Sequence, residues 1–464
     1  MRLPKRIVVA LIATFQIVLA AGISAAEVRL PPTQVESLTL PNGLRALFIE
    51  RHEVPVASVE IWYHVGSKNE QPGKTGFAHL FEHLMFDGTS NVGPEQFSST
   101  IVRSGGEDNA FTTEDTTVFW ETVPSATLQT ALWLEADRMR NLNISRETLQ
   151  NEIQVVKEER RLRFDNQPYG SVVETLYAHA FNVHPYHHTA IGSMEDLDRA
   201  TVEDVRGFYD TYYVPNNATV VVTGDFGAAQ VEDWIRKYFG PLEPGTRPIV
   251  RQLASEPAQT AERVVQLHLG VALPAFVEGF HMPPDGTPDA YPLRLATKIL
   301  ADGESSLIYR RLVYEKQIST DAECTGNFTE DPNLFFVFAV MNPGHSPAEG
   351  EREVESILED LRNKPVSEAE LEKAKNQILR DFILGRETVR RRAEELGYAA
   401  VVLKDPELVN TEPARFLAVT PQDILRVAKK YLVPENETLV EVYPKQENSE
   451  AGNQKPETRS QNPE

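Results

Sequence analysis

Residues 74–89 encode an amphipathic helix and read Lys74-Thr75-Gly76-Phe77-Ala78-His79-Leu80-Phe81-Glu82-His83-Leu84-Met85-Phe86-Asp87-Gly88-Thr89. Thr75 is a suitable N-cap, and Asp87-Gly88 predicts where the helix ends. Apolar residues with the spacing of a core-facing helix occupy one side: Phe77, Leu80, Phe81, Leu84 and Met85. The other side carries His79, Glu82, His83 and Phe86 at the same spacing. We therefore expect one packed face and one face that presents two imidazoles and a carboxylate.

The spacing of His79, Glu82 and His83 has a specific chemical use. Two histidines one helical turn apart can give two nitrogens to one tetrahedral Zn²⁺, which leaves positions for a third protein ligand and a water molecule. Glu82 lies on the same side and could take a proton from that water without binding the metal. The order H-x-x-E-H reverses the H-E-x-x-H pattern of zinc proteases. Chance occurrence among eleven histidines is the competing interpretation, and the packed opposite face argues against it.

A second helix, predicted over residues 146–164, carries acids in an apolar stripe. This stripe has helical spacing and consists of Glu152, Val155, Val156, Glu159 and Leu162. Two carboxylates in a core-facing stripe need a partner, because an unpaired buried charge is costly. A metal ion would supply one, so Glu159 is the expected third ligand and Glu152 the acid that supports the site. Simple pairing of both acids with Arg or Lys is the alternative, and Glu158 is expected in solvent beside Arg161.

The composition limits the class of protein. A chain of 464 residues with a net charge of −22 has room for two to four domains and is a poor partner for nucleic acid. Its single cysteine, Cys324, excludes an intrachain disulfide. Residues 1–26 have the pattern of a signal peptide, with early basic residues, an apolar run over 7–22 and Ser24-Ala25-Ala26 before the expected cleavage site. A retained anchor is the alternative, and a Gram-negative periplasm is the expected location.

The remaining periodicities predict an α+β chain. An Asn42-Gly43 turn predicts a hairpin over residues 38–49. Further strands are predicted over 56–65, 109–121, 218–224, 264–273 and 334–341. Further helices are predicted over 96–102, 128–142, 201–213, 229–239, 291–300, 305–315, 348–362, 368–384 and 387–403.

The two halves of the chain repeat one another. At constant spacing, residues of the first half match the second in these pairs: Thr201 with Thr420, Asp204 with Asp423, Tyr212 with Tyr431, Val214-Pro215 with Val433-Pro434, Asn217 with Asn436, and Thr219 with Thr438. We expect an N-terminal zinc-bearing domain over 33–242, a linker rich in Pro and Gly over 243–257, and a homologous domain without a zinc site over 258–444. The tail, 445–464, is expected to be disordered.

These features together resemble the pitrilysin-type inverzincin metallopeptidases, and more closely the short two-domain branch of mitochondrial processing peptidase and its bacterial relatives. Besides the two helices, the resemblance rests on further blocks: Gly105-Gly106-x-x-Asn109-Ala110-Phe111-Thr112, His184-Pro185-Tyr186, Tyr213-Val214-Pro215-Asn216-Asn217 and Gly224-Asp225. It implies two homologous domains, each with an antiparallel-rich sheet flanked by helices, that form half of a clamshell.

The resemblance also implies a set of roles. His79, His83 and Glu159 would bind one Zn²⁺ per chain, Glu82 would be the general base, and Glu152 would support the site. A substrate-binding edge strand would consist of Asn109, Ala110, Phe111 and Thr112, and peptide substrates would add to it as an extra strand. An inner strand is the alternative. His184, His187 and His188 are interpreted as structural or substrate-side.

One departure from the family concerns the second half. Leu307 follows Ser305-Ser306 where many members have a substrate-holding Arg. The chain is therefore expected to be the zinc-bearing member of a pair with a homologous zinc-free subunit, or else a homodimer. The predicted activity is that of a zinc endopeptidase for peptides or unfolded segments. The competing hypotheses are a non-catalytic binding or assembly subunit of the same fold and a zinc hydrolase of non-peptide substrates.

Overall fold

The structure is a computed structural model that describes residues 32–445. The predicted signal peptide and all of the predicted tail except Lys445 lie outside these residues. Among the described residues, no helix has both the length and the apolar character needed to span a bilayer.

Eleven strands of the described region form two sheets. The first sheet contains β1 Glu36–Thr39, β2 Arg45–Glu50, β3 Val56–Tyr63, β4 Glu107–Thr112, β5 Thr117–Pro124 and β6 Ala218–Gly224, in the order β1-β2-β6-β3-β5-β4. The second sheet contains β7 Arg263–Leu269, β8 Ala275–Met282, β9 Ser319–Gly326, β10 Asn333–Met341 and β11 Glu437–Pro444, in the order β7-β11-β8-β10-β9. We call residues 36–239 the first half and residues 263–444 the second half.

Helices in the described part of the chain follow the same order in both halves. The first half contains α1 Phe77–Leu84, α2 Gln96–Arg103, α3 Leu128–Asn141, α4 Arg146–Arg160, α5 Gly170–Ala180, α6 Met194–Arg199, α7 Val202–Tyr212 and α8 Ala228–Phe239. The second half contains α9 Ala290–Ala301, α10 Leu307–Tyr309, α11 Pro347–Asn363, α12 Glu368–Gly385, α13 Val389–Val401, α14 Leu408–Ala418 and α15 Pro421–Tyr431. Both α4 and α10 continue as a π-helical turn, over Arg161–Asp165 and Arg310–Glu315.

The two sheets have the same topology. Each sheet has one parallel pair, which is β2 with β6 in the first sheet and β7 with β11 in the second. The next three strands, β3-β5-β4 or β8-β10-β9, are all antiparallel to their neighbours. The hairpin end of the first sheet adds β1, and Gly43 at its turn has φ of +87°, as the Asn-Gly pattern requires. The α+β fold class and the repeated halves predicted from the sequence are confirmed.

Side chains at equivalent positions of the two halves make the same hydrogen bonds. Thr201 and Thr420 are N-caps whose hydroxyls accept from the backbone N–H of Asp204 and Asp423. The Asn217 amide donates to Tyr212 O at 2.7 Å and to His64 O at 3.4 Å. Asn436 repeats this at 2.8 Å to both Tyr431 O and His281 O. The internal repeat is therefore one of hydrogen bonding as well as of sequence.

Each sheet is covered on one face by helices of its own half and on the other by a helix of the opposite half. Helix α13 packs its buried Ala393, Leu396 and Ala400 against β2, β3 and β6 of the first sheet. Helix α5 packs Val172 and Leu176 against β8 and β11 of the second sheet. From Val35 onward the described residues form one compact unit, which this exchange explains. The domain boundaries remain predictions.

The predicted linker, 243–257, contains no helix or strand, yet two of its side chains bind the first half. Arg251 donates to His64 O at 2.7 Å. Glu256 accepts from the backbone N–H groups of Val183 and His184 at 2.8 and 2.9 Å.

Two secondary-structure predictions are wrong in detail. Residues 109–121 do not form one strand, because residues 113–116 turn and return the chain as the β4–β5 hairpin. The pattern of Thr and aromatic residues runs through this turn and hides it. In the second half the sequence interpretation also misses β8 and β9, since β8 is buried along most of its length and lacks alternation.

Candidate metal centre

Helix α1 is anchored at its N-terminus by a buried carboxylate. Gly76, not Thr75, is the N-cap, with φ of +90°, and a Cβ there would lie 2.7 Å from Ile191 O. Glu70 accepts from the backbone N–H of Gly76 and Ala78, both at 2.8 Å, where an anion is favoured by the helix dipole. The Thr75 hydroxyl instead donates to Asp196 at 2.7 Å. The predicted N-cap is wrong by one residue because a side chain outside the motif supplies the acceptor.

The apolar side of α1 is packed as predicted, with all five residues of the stripe at 2% exposure or less. Phe81 stacks on Tyr213 and Phe208 of the same core. Burial of each large apolar side chain contributes about 1.5–3 kcal/mol, so this face fixes the rotation of the helix. The predicted end at Asp87-Gly88 is too late, because the helix ends at Leu84.

Helix α4 brings two acids to the imidazoles of α1. The Glu159 Oε2 atom lies 3.1 Å from His83 Nε2 and 3.6 Å from His79 Nε2. One ligand atom from each of His79, His83 and Glu159 lies within 4.8 Å of the others. Glu152 Oε2 lies 3.4 Å from Nδ1 of His83, on the other side of that ring. The structure thus brings together four of the five residues that the sequence singled out on these two helices, and the fifth, Glu82, is described below.

The stripe on α4 was interpreted as facing the core, which is only partly correct. Val156 is fully buried, but Val155 is 47% and Leu162 59% exposed. The core face of α4 instead consists of Leu149, Ile153 and Val156. Glu152 and Glu159 lie at the border of this face, half-buried, so they line the site and are not surrounded by the core.

The acids of α4 also have partners outside the cluster. Glu159 Oε1 pairs with the exposed Arg163 at 3.0 Å, so the pairing with Arg considered from sequence holds for one oxygen and leaves the other for the histidines. Glu158 pairs with Arg161 at 2.9 Å in solvent, as expected. Asp87 approaches Glu152, and burial and this neighbouring charge raise the pKa of Asp87 to about 6.

Electrostatics favours the neutral form of one imidazole. Burial and, to a smaller extent, the neighbouring His83 lower the pKa of His79 to about 4. Burial also lowers the pKa of His83, but the hydrogen bond to Glu152 and the charge of Glu159 outweigh it, so that the net shift is upward. A neutral imidazole is the form that binds a metal. Two nitrogens and one carboxylate oxygen at these separations fit a zinc ion with one open position.

Glu82 is held by a residue that the sequence assigned to substrate. The Thr112 hydroxyl donates to Glu82 Oε2 at 2.7 Å. Burial raises the pKa of Glu82 and the bond from Thr112 partly opposes this, with a net upward shift. Strand β4, which contains residues 109–112, is the edge of the first sheet and pairs with β5 alone among the described strands. The edge placement agrees with the expectation, whereas the contact between Thr112 and Glu82 was missed because it is a side-chain contact across 30 residues.

The histidine cluster at 184–188 lies outside the metal-like group. The buried His184 Nδ1 accepts from Tyr186 N–H at 3.3 Å, and His187 and His188 contact backbone carbonyls. These contacts agree with the structural interpretation. Leu307 packs against the core of the second half.

Two family models match the chain in sequence. The model of insulinase, peptidase family M16, matches residues 45–193, and the model of the peptidase M16 inactive domain matches residues 199–378. The first contains all of the metal-centre residues named above, and the second begins at the last residue of α6 and ends within α12.

Curated relatives are similar over most of their length. A protein named zinc protease PqqE, from Helicobacter pylori, is 33% identical over 88% of this chain and 93% of its own. A probable mitochondrial-processing peptidase subunit beta from Arabidopsis thaliana is 25% identical over 90% of this chain and 79% of its own.

Solved structures agree. A protease from Helicobacter pylori has a TM-score of 0.86 at 33% identity, covering 89% of this chain and 100% of that one. The periplasmic protease PqqL from Escherichia coli has a TM-score of 0.73 at 17% identity, with 90% of this chain matching 48% of that one. The second likeness shows the fold alone, in a chain about twice as long.

Proposed function

Because this chain belongs to the M16 peptidase family, we propose that it is a zinc-dependent endopeptidase that cleaves peptides or unfolded segments. The observation that carries the proposal is the convergence of His79, His83 and Glu159, beside a separately held Glu82. The relatives named as zinc proteases support both the metal and the reaction class.

His79, His83 and Glu159 would hold the zinc ion, which supplies a Lewis acid that activates water and polarises the scissile carbonyl. Glu82 Oε2 is engaged by the Thr112 hydroxyl, which leaves Oε1 to take a proton from the attacking water. The same carboxyl can then return that proton to the leaving amine. Glu152 holds the His83 ring by its second nitrogen, which fixes the direction of Nε2.

Substrate would bind as an added strand on β4. Among the described strands this edge strand pairs with β5 alone, its outward Ala110 N–H is bound only by its neighbour Asn109 Oδ1 at 2.8 Å, and its Thr112 contacts the proposed general base. Addition of a peptide there would place main chain, not a particular side chain, next to Glu82. Such recognition accounts for a preference for unfolded segments and for loose sequence specificity.

We also propose that the chain acts in a pair, with a homologous zinc-free subunit or with a second copy. One relative is named as a subunit, and 90% of this chain matches 48% of PqqL. A periplasmic location is proposed from the signal-like residues 1–26 and is supported by the fold shared with a periplasmic protease.

The direct test is cleavage of a quenched fluorescent peptide by the chain from Glu27 onward, with Glu82→Gln as the blank. Zinc-dependent cleavage that Glu82→Gln lowers by about 10²–10⁴-fold, at unchanged zinc content, is expected for loss of a general base. If the chain is inactive alone but active after addition of a homologous zinc-free chain, the heterodimer is correct. Full activity of Glu82→Gln, or zinc-loaded protein that is inactive with every partner, would contradict the proposal and favour the assembly subunit.

A further inference from the structure

A second group of acids lies in the second half, away from the metal centre. One carboxylate oxygen from each of Glu262, Glu351 and Glu437 lies within 4.8 Å of the others. Glu262 precedes β7, Glu351 lies on α11 and Glu437 begins β11. The group therefore brings together the segment before β7, the start of β11 and the helix that covers the second sheet.

The equivalent positions in the first half are apolar core. Glu437 pairs with Phe280 in the second sheet as Ala218 pairs with Tyr63 in the first. Glu278 pairs with Leu439 as Ile61 pairs with Val220. Ala218 and Ile61 are both buried in the hydrophobic core of the first half. Glu437 and Glu278 therefore occupy positions beneath α11 that are apolar in the first half, so the shared fold does not require an acid at either position.

A fourth carboxylate lies near this group, and one of its oxygens has no hydrogen-bond partner among the described residues. Glu278 is only 1% exposed, and its Oε1 atom has no hydrogen-bond partner in the described part of the chain. The buried Oε1 of Glu437 is in the same state. Glu278 pairs with Leu439, two residues along β11 from Glu437, so the side chains of Glu278 and Glu437 lie diagonally on the same face of the sheet. Burial and the neighbouring carboxylates, that of Glu437 first among them, raise the pKa of Glu278. An uncompensated buried charge is strongly destabilising.

The neighbouring arginine is already engaged. Arg362 Nη1 donates to Leu432 O at 2.7 Å and to Glu355 at 3.2 Å. In the first half a buried acid pair is held by an arginine: Arg138, fully buried, donates to Glu121 at 3.1 Å and to Glu135 at 2.8 Å, although Glu121 Oε2 has no hydrogen-bond partner among the described residues. No hydrogen bond of that kind reaches Glu278 Oε1 or Glu437 Oε1 from the residues that the structure describes.

We propose that Glu262, Glu351 and Glu437, supported by Glu278, form a calcium site that stabilises the second half. Ligands that are all oxygen suit a hard cation and not zinc, which prefers nitrogen and sulfur in structural sites. Two oxygens bound to one Ca²⁺ at about 2.4 Å can be at most about 4.8 Å apart, which these three satisfy. Glu262 is exposed and gives the ion a route from solvent, and water completes the coordination. This site is independent of the proposed peptidase reaction.

The test is calcium binding by the zinc-loaded chain from Glu27 onward, measured by calorimetric titration with CaCl₂ in calcium-free buffer. One Ca²⁺ per chain is expected, with a dissociation constant of about 10⁻⁴–10⁻³ M or tighter, as in extracellular calcium modules. Saturating calcium should raise the thermal midpoint by about 3 °C. The same titration with MgCl₂ should give weaker binding, because Mg²⁺ requires a tighter octahedral set.

The matched variants are Glu262→Gln, which removes an exposed ligand without disturbing the core, and Glu359→Gln, which removes an exposed carboxylate elsewhere on α11. Calcium affinity should fall at least tenfold in Glu262→Gln and stay unchanged in Glu359→Gln, and zinc content should be the same in both. Absence of calcium binding to the unmodified chain at 10 mM, at pH 8, would overturn the proposal and leave shared protons as the means by which these acids are buried. Equal affinity in Glu262→Gln and the unmodified chain would overturn it too, since the ion would then bind elsewhere.

Discussion

The two halves of this molecule share one sheet topology but carry different side chains on one pair of equivalent helices. In the first, α1 packs against α4 and the pair presents two histidines and two glutamates to one another. In the second, α9 packs against α12 in the corresponding place, but α9 contains no His, Asp or Glu. The fold therefore needs these two helices for its architecture whether or not they bind a metal. The metal-like group of the first half lies on a pair of helices that the second half joins by packing and by the ion pair between Lys298 and Asp381 at 2.8 Å.

The exchange of α5 and α13 shows the same principle in packing. Trp62 of β3 and Gly279 of β8 occupy equivalent positions, paired with Thr219 and Thr438. Opposite the large Trp62, α13 has Gly397, and opposite the small Gly279, α5 has Leu176. Each sheet thus combines one large and one small residue at the crossing, with the sizes exchanged between strand and helix. The repeat conserves the filled volume and not the residue type.

The first prediction asks whether the metal belongs to the first half only. Glu159→Gln should weaken zinc binding by more than about 100-fold, because a ligand is lost and not merely a supporting partner. Competition with a chromogenic chelator measures this affinity. Glu158→Gln, the adjacent solvent-exposed acid, is the control and should bind zinc normally. If the effects of the two variants were reversed, the ligand would be Glu158, and unchanged binding in both would place the metal outside the α1–α4 pair.

The second prediction concerns Glu152, the acid on α4 that is expected to support His83 without binding the metal. Glu152→Gln should lower zinc affinity by about 10–100-fold, since His83 loses the partner that orients its ring. His79 has no such partner, as its Nδ1 atom is buried without a hydrogen bond to any described residue. The Glu159→Gln protein, measured in the same chelator competition, sets the scale. An effect of Glu152→Gln as large as that of Glu159→Gln would make Glu152 a ligand.

The third prediction tests the exchanged packing. A Cβ on Gly397 would lie 2.1 Å from Trp62 Nε1, and that ring is held by a bond to Glu60 at 2.7 Å. Gly397→Ala should therefore reduce the free energy of unfolding by about 1–3 kcal/mol, although alanine is the better helix former. Chemical denaturation measures the change.

Two controls separate packing from helix propensity. Gly279→Ala should cost less, because its Cβ would meet only the flexible end of Leu176 at 3.0 Å. Gly385→Ala, at the end of α12, would meet nothing within 4 Å and should keep or slightly raise stability, because only helix propensity changes there. Equal stability of all three variants would show that the crossing at Trp62 is not tightly packed.

The smallest expected effect is that of Thr112→Val. Loss of the bond to Glu82 should lower kcat by about tenfold, or about 1.4 kcal/mol, with KM nearly unchanged, because the valine keeps the shape and backbone of the edge strand. Thr112→Ser restores a hydroxyl and should recover most of the activity. A change confined to KM would assign Thr112 to substrate binding and leave Glu82 oriented by other means.

Much of the candidate site follows from local sequence. His79, Glu82 and His83 share one helix, and Glu152 and Glu159 share another, so a period of 3.6 residues places each set on one side without further information. The repeat was also visible, because caps such as Thr201 and Thr420 need the same residue types at the same spacing. The errors arose where a distant group intervened, as when Glu70 replaced Thr75 as the acceptor at the start of α1.

The sequence by itself determined which side chains could bind a metal, the α+β class and the existence of two equivalent halves, because these depend on patterns within a single element or on the comparison of two segments. Only the tertiary structure decided that Glu159, 76 residues away, meets His83 and that Glu82 is held by Thr112. It also decided that α5 and α13 exchange sheets and that Glu262, Glu351 and Glu437 come together where α11 covers the second sheet. The physical reason is that such contacts depend on the filling of volume and the pairing of charge between elements remote in sequence, which no local periodicity encodes.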